Sequence, residues 1–208
     1  MSRPALVTLD IFGTAVDWRR GLNEALGREI DAATFDRIVD FQGAEERRAF
    51  RPYREIVSDS LRTVLGLGRA EADAIGAGAG RWPLFPDSRE GLRRLLRLAP
   101  CAAMTNSDRA HGEDVQAQLG FRLSDWVCAE EIGVYKPAAE FWTAVSKRIG
   151  VAFGPAWWHV SAYADYDLRT ANRLGLTTVY VPRPHARRGR ATHTCRDLLA
   201  LAGTLKPA

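Results

Sequence analysis

Lysine is nearly absent from this sequence: Lys136, Lys147 and Lys206 are the only three among 208 residues, so the net charge of +4 rests on arginine. Cysteine is scarce as well. Cys101, Cys128 and Cys195 form an odd set without metal-ligand spacing, which speaks against a disulfide framework or a thiolate zinc site and leaves reduced, structural thiols. No apolar run approaches the ~20 residues of a membrane span, and the short N-terminal apolar run meets Asp10 at once, unlike a secretory signal. A cytoplasmic protein with no membrane partner is expected. The densest basic stretch, residues 183–196, has no interleaved phenylalanine, tyrosine or tryptophan to stack bases, so it reads as a solvated loop rather than a nucleic-acid surface. Internal repeats and low-complexity segments are also absent.

What is present suffices for a full core, with 46% hydrophobic residues in a length that suits one domain or a core carrying a modest insertion. The run Ala5-Leu6-Val7-Thr8-Leu9 is too short for a helix and reads as a buried strand, with Asp10 at its C-terminal end. Open α/β sheets collect ligands at that edge, and Gly13 lets the chain turn sharply beside it. A carboxylate there is a candidate nucleophile, the plainer alternative being one that only begins a turn.

Downstream, apolar residues recur every four positions at Trp18, Leu22, Leu26 and Ile30, which predicts an amphipathic helix over 18–30. A second is expected from Thr34 as N-cap toward Phe50, with Glu45, Glu46, Arg47 and Arg48 on its exposed side. A third follows Pro52, and a weaker fourth spans 69–80, where Gly76, Gly78 and Gly80 make poor helix material. Four helices directly after one strand do not fit a β-α-β alternation and read as an insertion that ends in the proline-stiffened segment 82–87. From Ser88 onward the alternation resumes. Strands are expected at 101–105, 126–129, 157–160 and 177–181, and helices at 88–98, 108–119, 138–149 and 167–174, the pattern of a doubly wound parallel sheet. The polar tail is left unplaced apart from a short helix near 198–201.

In a parallel sheet the ends of these strands share one edge with Asp10. Thr105-Asn106-Ser107 follow the second core strand, Lys136-Pro137 the third, and Asp165 and Asp167 the fourth. A carboxylate, a hydroxyl, an ammonium and a further acid therefore converge, and the ammonium is one of very few the chain has.

Asp10-Ile11-Phe12-Gly13-Thr14, Thr105-Asn106, Lys136-Pro137 and the Asp167 region, in this order around a helical insertion, resemble the haloacid dehalogenase superfamily. The contexts Val16-Asp17-Trp18-Arg19 and Val134-Tyr135-Lys136-Pro137 look most like its type II dehalogenase branch. The resemblance implies a Rossmann-like α/β core formed by residues 1–14 and 87–208 and a helical cap of residues 15–86. It also implies dehalogenation of short 2-haloalkanoic acids: Asp10 attacks carbon to form an aspartyl ester, which water hydrolyses. Thr14 belongs to the same catalytic motif. Lys136 would orient Asp10 and depress its pKa, Thr105 and Asn106, the latter with its backbone N–H, would hold the substrate's anionic group, and Asp167 would position Lys136 or water. Ile11 and Phe12 would border the substrate, with Phe12, Trp18 and Tyr163 as candidate walls.

Two departures from that family stand out. Its dehalogenases use a cap arginine at the halide, and nothing local selects among Arg37, Arg47, Arg48, Arg51, Arg54 and Arg62. The segment Ser161-Ala162-Tyr163-Ala164-Asp165-Tyr166-Asp167 lacks the Ser-x-Asn of the best-known members, and Asp165 reads either as a second acid or as a turn residue. Two alternatives to the dehalogenase are carried: a phosphatase, which would require Mg2+ where the dehalogenase requires no cofactor or metal, and a catalytically weak scaffold for a partner. The expected partner is a small-molecule anionic substrate; a homodimer is compatible with the pattern.

Overall fold

The computed structural model describes residues 3–205. Strands β1 (Leu6–Leu9), β2 (Cys101–Thr105), β3 (Asp125–Cys128), β4 (Trp157–Ser161), β5 (Thr177–Tyr180) and β6 (His193–Thr194) pair in parallel in the order β3-β2-β1-β4-β5-β6. The order reverses at β1, and ligands of doubly wound sheets bind at such a switch point. Strands β1, β2 and β4 are buried along their whole length, as a parallel sheet covered on both faces requires.

Helices α1 (Trp18–Leu26), α2 (Ala32–Glu45), α3 (Tyr53–Leu65) and α4 (Arg69–Ala77) and a 3-10 turn at Ala79–Arg81 run consecutively between β1 and α5 (Ser88–Leu98). The segments that lead into and out of this insertion are laced together. Asp17 N–H donates to the Pro83 carbonyl at 2.8 Å, while Phe85 N–H and the Ser88 hydroxyl both donate to the Ala15 carbonyl, at 3.0 and 2.7 Å. Beyond β2 come α6 (Arg109–Leu119), α7 (Ala129–Ile132), α8 (Ala139–Ile149), α9 (Asp167–Arg173) and α10 (Leu198–Thr204), the last packed on α5. All three cysteines are buried and free.

Several boundaries differ from the sequence reading. Helix α1 stops at Gly27, whose positive φ of 63° ends it before Ile30. Asp31, not Thr34, caps α2: its carboxylate accepts the Thr34 N–H at 2.8 Å, and the Thr34 hydroxyl donates to it as well, also at 2.8 Å. Strand β3 runs one residue early, so that Ala129, expected in the strand, opens α7 instead, and β6 falls where no element was expected.

The basic tail is not simply a solvated loop. The Arg183 side chain is 7% exposed and grips Asp87 with two parallel bonds of 2.8 and 2.9 Å. It also donates to the Thr14 carbonyl at 3.0 Å and lies over the Phe85 ring at 4.0 Å. Asp87 in turn accepts the Leu198 N–H that opens α10, at 2.8 Å. One buried ion pair thus joins the turn after β1, the exit from the insertion and the C-terminal helix.

Candidate active site

Asp10 lies one residue past β1, where Gly13, at φ +87°, folds the chain under the ring of Tyr163 so closely that a Cβ would strike it. The turn carries Thr14 back onto the carboxylate. Its Oγ1 donates to Asp10 Oδ2 at 2.7 Å and accepts the Ala162 N–H at 2.9 Å, tying the first motif to the loop after β4.

Lys136 is wholly buried, and its Nζ is shared by two carboxylates, with 3.1 Å to Asp10 Oδ1 and 2.9 Å to Asp167 Oδ2. Behind Asp167 stands a residue the sequence reading missed: His159 Nε2 lies 3.1 Å from the same Oδ2, and its Nδ1 lies 2.8 Å from Thr8 Oγ1. Thr8 and His159 are register partners across β1 and β4, and Trp157 Nε1 donates to Thr8 Oγ1 at 2.7 Å. Thr8 Oγ1 also donates to the Trp158 carbonyl at 3.3 Å, so the imidazole links a hydroxyl anchored on two strands to Asp167. The available signal was a lone histidine inside the apolar strand Trp157-Trp158-His159-Val160.

These contacts decide the charges. For Asp167, burial works to raise the pKa, but Lys136 and then His159 outweigh it and hold the carboxyl well below the usual carboxylate range. For Asp10 burial wins: with the charge of Asp167 added to it, the pull of Lys136 and Thr14 is overcome and the pKa is raised. The expectation of a depressed Asp10 pKa is therefore corrected, because Lys136 is not Asp10's alone. Lys136 itself is pushed up, since the two carboxylates outweigh its own burial.

A cavity of about 480 Å³ opens over Asp10, bordered by Thr105, Asn106 and Lys136 on the sheet side and by aromatic walls that include Phe12, Trp18 and Tyr163. Trp18 Nε1 donates to the Tyr163 hydroxyl at 2.8 Å, so the two walls from insertion and core are linked. Asp165 and Tyr166 also border the cavity. Ile11 does not: its side chain is wholly buried in the core, and its carbonyl instead accepts the N–H groups that close the Asp10 turn.

Asn106 is occupied by the protein. Its Oδ1 accepts the Lys136 N–H at 2.8 Å and its Nδ2 donates to the Lys136 carbonyl at 3.0 Å, which locks the lysine's backbone to the end of β2. Nδ2 also donates to Glu46 Oε2 at 3.0 Å. Glu46, placed on an exposed helix side by the sequence reading, faces the cavity from the end of α2. Burial pushes its carboxyl up to about 8, against the opposing effects of Asn106 and Lys136.

Among the six arginines considered for the halide, Arg47 alone borders the cavity. Arg48 pairs with Glu45, Arg51 with Glu45 and Asp59, Arg54 with Asp108 and Glu130, and Arg62 with Asp59, while Arg37 reaches back to Thr34. Arg169 of α9 and Arg187 from the basic tail also border the cavity, and Arg187 pairs with Asp40 of α2 at 2.7 Å.

A magnesium ion belongs to the phosphatase reading, and Asp10 and Asp167 are the carboxylates at this edge that would hold it. An ammonium bridges the two carboxylates, and an apolar ring stands at Phe12. Among the described residues no three His, Cys, Asp or Glu side chains converge as a metal site.

The chain matches the family described as haloacid dehalogenase-like hydrolase over residues 5–158. No curated protein matches it by sequence. Among solved structures, a defluorinating L-2-haloacid dehalogenase superposes with a TM-score of 0.83 at 22% identity, covering 99% of this chain and 98% of its own. Another L-2-haloacid dehalogenase gives 0.82 at 26%, covering 99% and 100%. The L-2-haloacid dehalogenase of Xanthobacter autotrophicus, with chloropropionic acid covalently bound, gives 0.79 at 14%, covering 96% and 97%.

Proposed function

Since the chain belongs to the haloacid dehalogenase-like hydrolases, we propose that its reaction is the hydrolytic dehalogenation of 2-haloalkanoic acids, with Asp10 as nucleophile. The observation that carries this reading is Asp10 itself, held by Thr14 and Lys136 beneath a cavity whose nearest wall on the nucleophile's own loop is the Phe12 ring. Chloropropionic acid bound covalently in the Xanthobacter autotrophicus relative supports an ester mechanism here.

An Asp10 oxygen displaces halide from the substrate's 2-carbon, forming a C–O bond as the C–X electron pair leaves with the halide. Water then adds to the Asp10 ester carbonyl, releases the 2-hydroxy acid with one proton, and regenerates the carboxylate. Burial that raises the Asp10 pKa also strips the anion of water and makes it the stronger nucleophile once ionised. Lys136 aims the carboxylate from 3.1 Å and opposes, without reversing, the rise in its pKa. Asp167, ionised and fixed by Lys136 and His159, has its Oδ1 buried without a partner, an acceptor able to orient the hydrolytic water.

A departing halide is a stable anion and needs no proton, whereas an alkoxide leaving phosphorus gains about 10² to 10⁴-fold from a positioned acid. Phe12 has none to give. The test is a paired assay of halide release from 2-haloacids and phosphate release from a generic ester, each with and without chelator, with Asp10→Asn as the blank. Chelator-insensitive halide release, with phosphate release at the blank's level, is expected; efficient magnesium-dependent phosphate release without halide would replace this reading with the phosphatase.

A further inference from the structure

An anionic substrate needs hydrogen-bond donors in the cavity: among the described residues the Arg47 and Arg169 guanidinium groups and the Tyr166 hydroxyl there have no hydrogen-bond or ion-pair partner, while other donors are already committed. Lys136 Nζ is divided between Asp10 and Asp167, and the Asn106 amide between the Lys136 backbone and Glu46. Arg187 is paired with Asp40, and its other end lies 3.8 Å from Asp165. Glu46 differs. Asn106 fixes its Oε2, while its Oε1 makes no hydrogen bond to the protein among the described residues, and the side chain borders the cavity that holds Asp10.

We propose that Glu46 is a substrate-binding residue, its neutral carboxyl donating a hydrogen bond from Oε1 to the carboxylate of the bound acid. The proposal rests on the anionic-substrate reading above and adds to it a specificity device: the site takes the anion only while Glu46 holds its proton. Once ionised, Glu46 offers no donor and faces the substrate with a like charge in a partly desolvated cavity, where such repulsion is strong. Asn106 Nδ2 is the pin that places it, so the insertion and the motif after β2 together complete the anion site.

The groups that face Glu46 from neighbouring elements are Lys136 and Tyr135 before α8, Asp10 after β1, Tyr53 on α3, Tyr166 before α9, and Arg47 beside it. Burial raises all three phenols and the carboxylates raise Lys136, so these groups keep one protonation state between pH 7 and 9. Asp10 is common to every protein compared and acts on Glu46, so it is the comparison with E46Q, not the slope of the unmodified protein alone, that assigns the titration to Glu46.

The test measures propionate, a 2-haloacid without its leaving group, binding to the intact protein by calorimetry from pH 7 to pH 9. With the Glu46 carboxyl near 8, the neutral fraction and hence the affinity should fall about tenfold across this range, an effect that E46Q, which cannot ionise, should abolish. E46A should bind more weakly than E46Q at pH 7. The same pH slope in the unmodified protein and E46Q would overturn the proposal alone, as would equal affinity of E46A and E46Q. Failure of any folded form to bind propionate would overturn the proposal, and the halide assay then tells whether the anionic-substrate reading falls with it.

Discussion

Lys136 is the residue on which both stability and chemistry depend. Removing it leaves two carboxylates buried without a countercharge, a loss of about 3–5 kcal/mol when one partner of a buried pair is deleted. Lys136→Ala should therefore lower the denaturation midpoint sharply and also abolish most halide release. Lys147→Ala, on an exposed face of α8, should stay within about 0.5 kcal/mol of the parent. Denaturant titration and halide assays on the pair check this, and matching behaviour would remove Lys136 from the site. The acid limb follows from Asp10. Its folded pKa is raised, and only the anion attacks, so kcat/KM should fall as pH drops through a value above the ordinary 3.8. Asp167 has the opposite sign: its contribution to stability is full above the ordinary aspartate pKa and is lost as pH falls toward its depressed folded value. Asp10, Thr105, Lys136 and Asp167 were legible as neighbours because each lies at, or in the connection beyond, the C-terminal end of a core strand. Glu46 and His159 were not, since what they touch depends on how α2 seats over the sheet and on the pairing of β1 with β4.

At the scale of elements, the apolar spacing of α1, α2 and α3 predicted them well, while the glycines of α4 looked like a flaw. Packing accounts for two of the three, Gly76 and Gly80, the latter because a Cβ there would strike the His111 backbone of α6. Gly76 lies against the Arg54 carbonyl of α3, so that a Cβ there would collide with backbone that cannot yield cheaply. Gly76→Ala should destabilise by about 1–3 kcal/mol, although alanine is the better helix former. Thermal unfolding decides it: a rise in Tm would mean that α3 and α4 are not tightly packed. Helix α7, with four residues, and β6, with two, are too short to leave a period in the sequence, and contacts with their neighbours set them. Arg183 illustrates the same limit. In sequence it is one arginine of a basic tail, yet Arg183→Ala should cost about 3–5 kcal/mol by stranding Asp87, while Arg188→Ala on the exposed loop should cost almost nothing. Equal Tm values for the two variants would refute the tie that Arg183 makes.

Across the whole molecule the sheet edge carries the chemistry, while insertion and core share the aromatic walls, Trp18 from the one and Phe12 and Tyr163 from the other. Phe12→Asp tests the core's share. A carboxylate in place of the ring would wet the cavity and add a charge beside the nucleophile, so halide release should fall, measured as kcat/KM for a 2-haloacid under saturating chelator. An unchanged rate would mean that the ring does not shield Asp10. The central claim is covalent attack by Asp10, and single turnover in water enriched in heavy oxygen tests it most directly. With protein in excess over a 2-haloacid, hydrolysis of the ester at its carbonyl should leave label in the peptide that contains Asp10, read by mass spectrometry, and none in the first-formed hydroxy acid. Label in the product with none on Asp10 would show that water attacks the substrate carbon directly and would contradict the account.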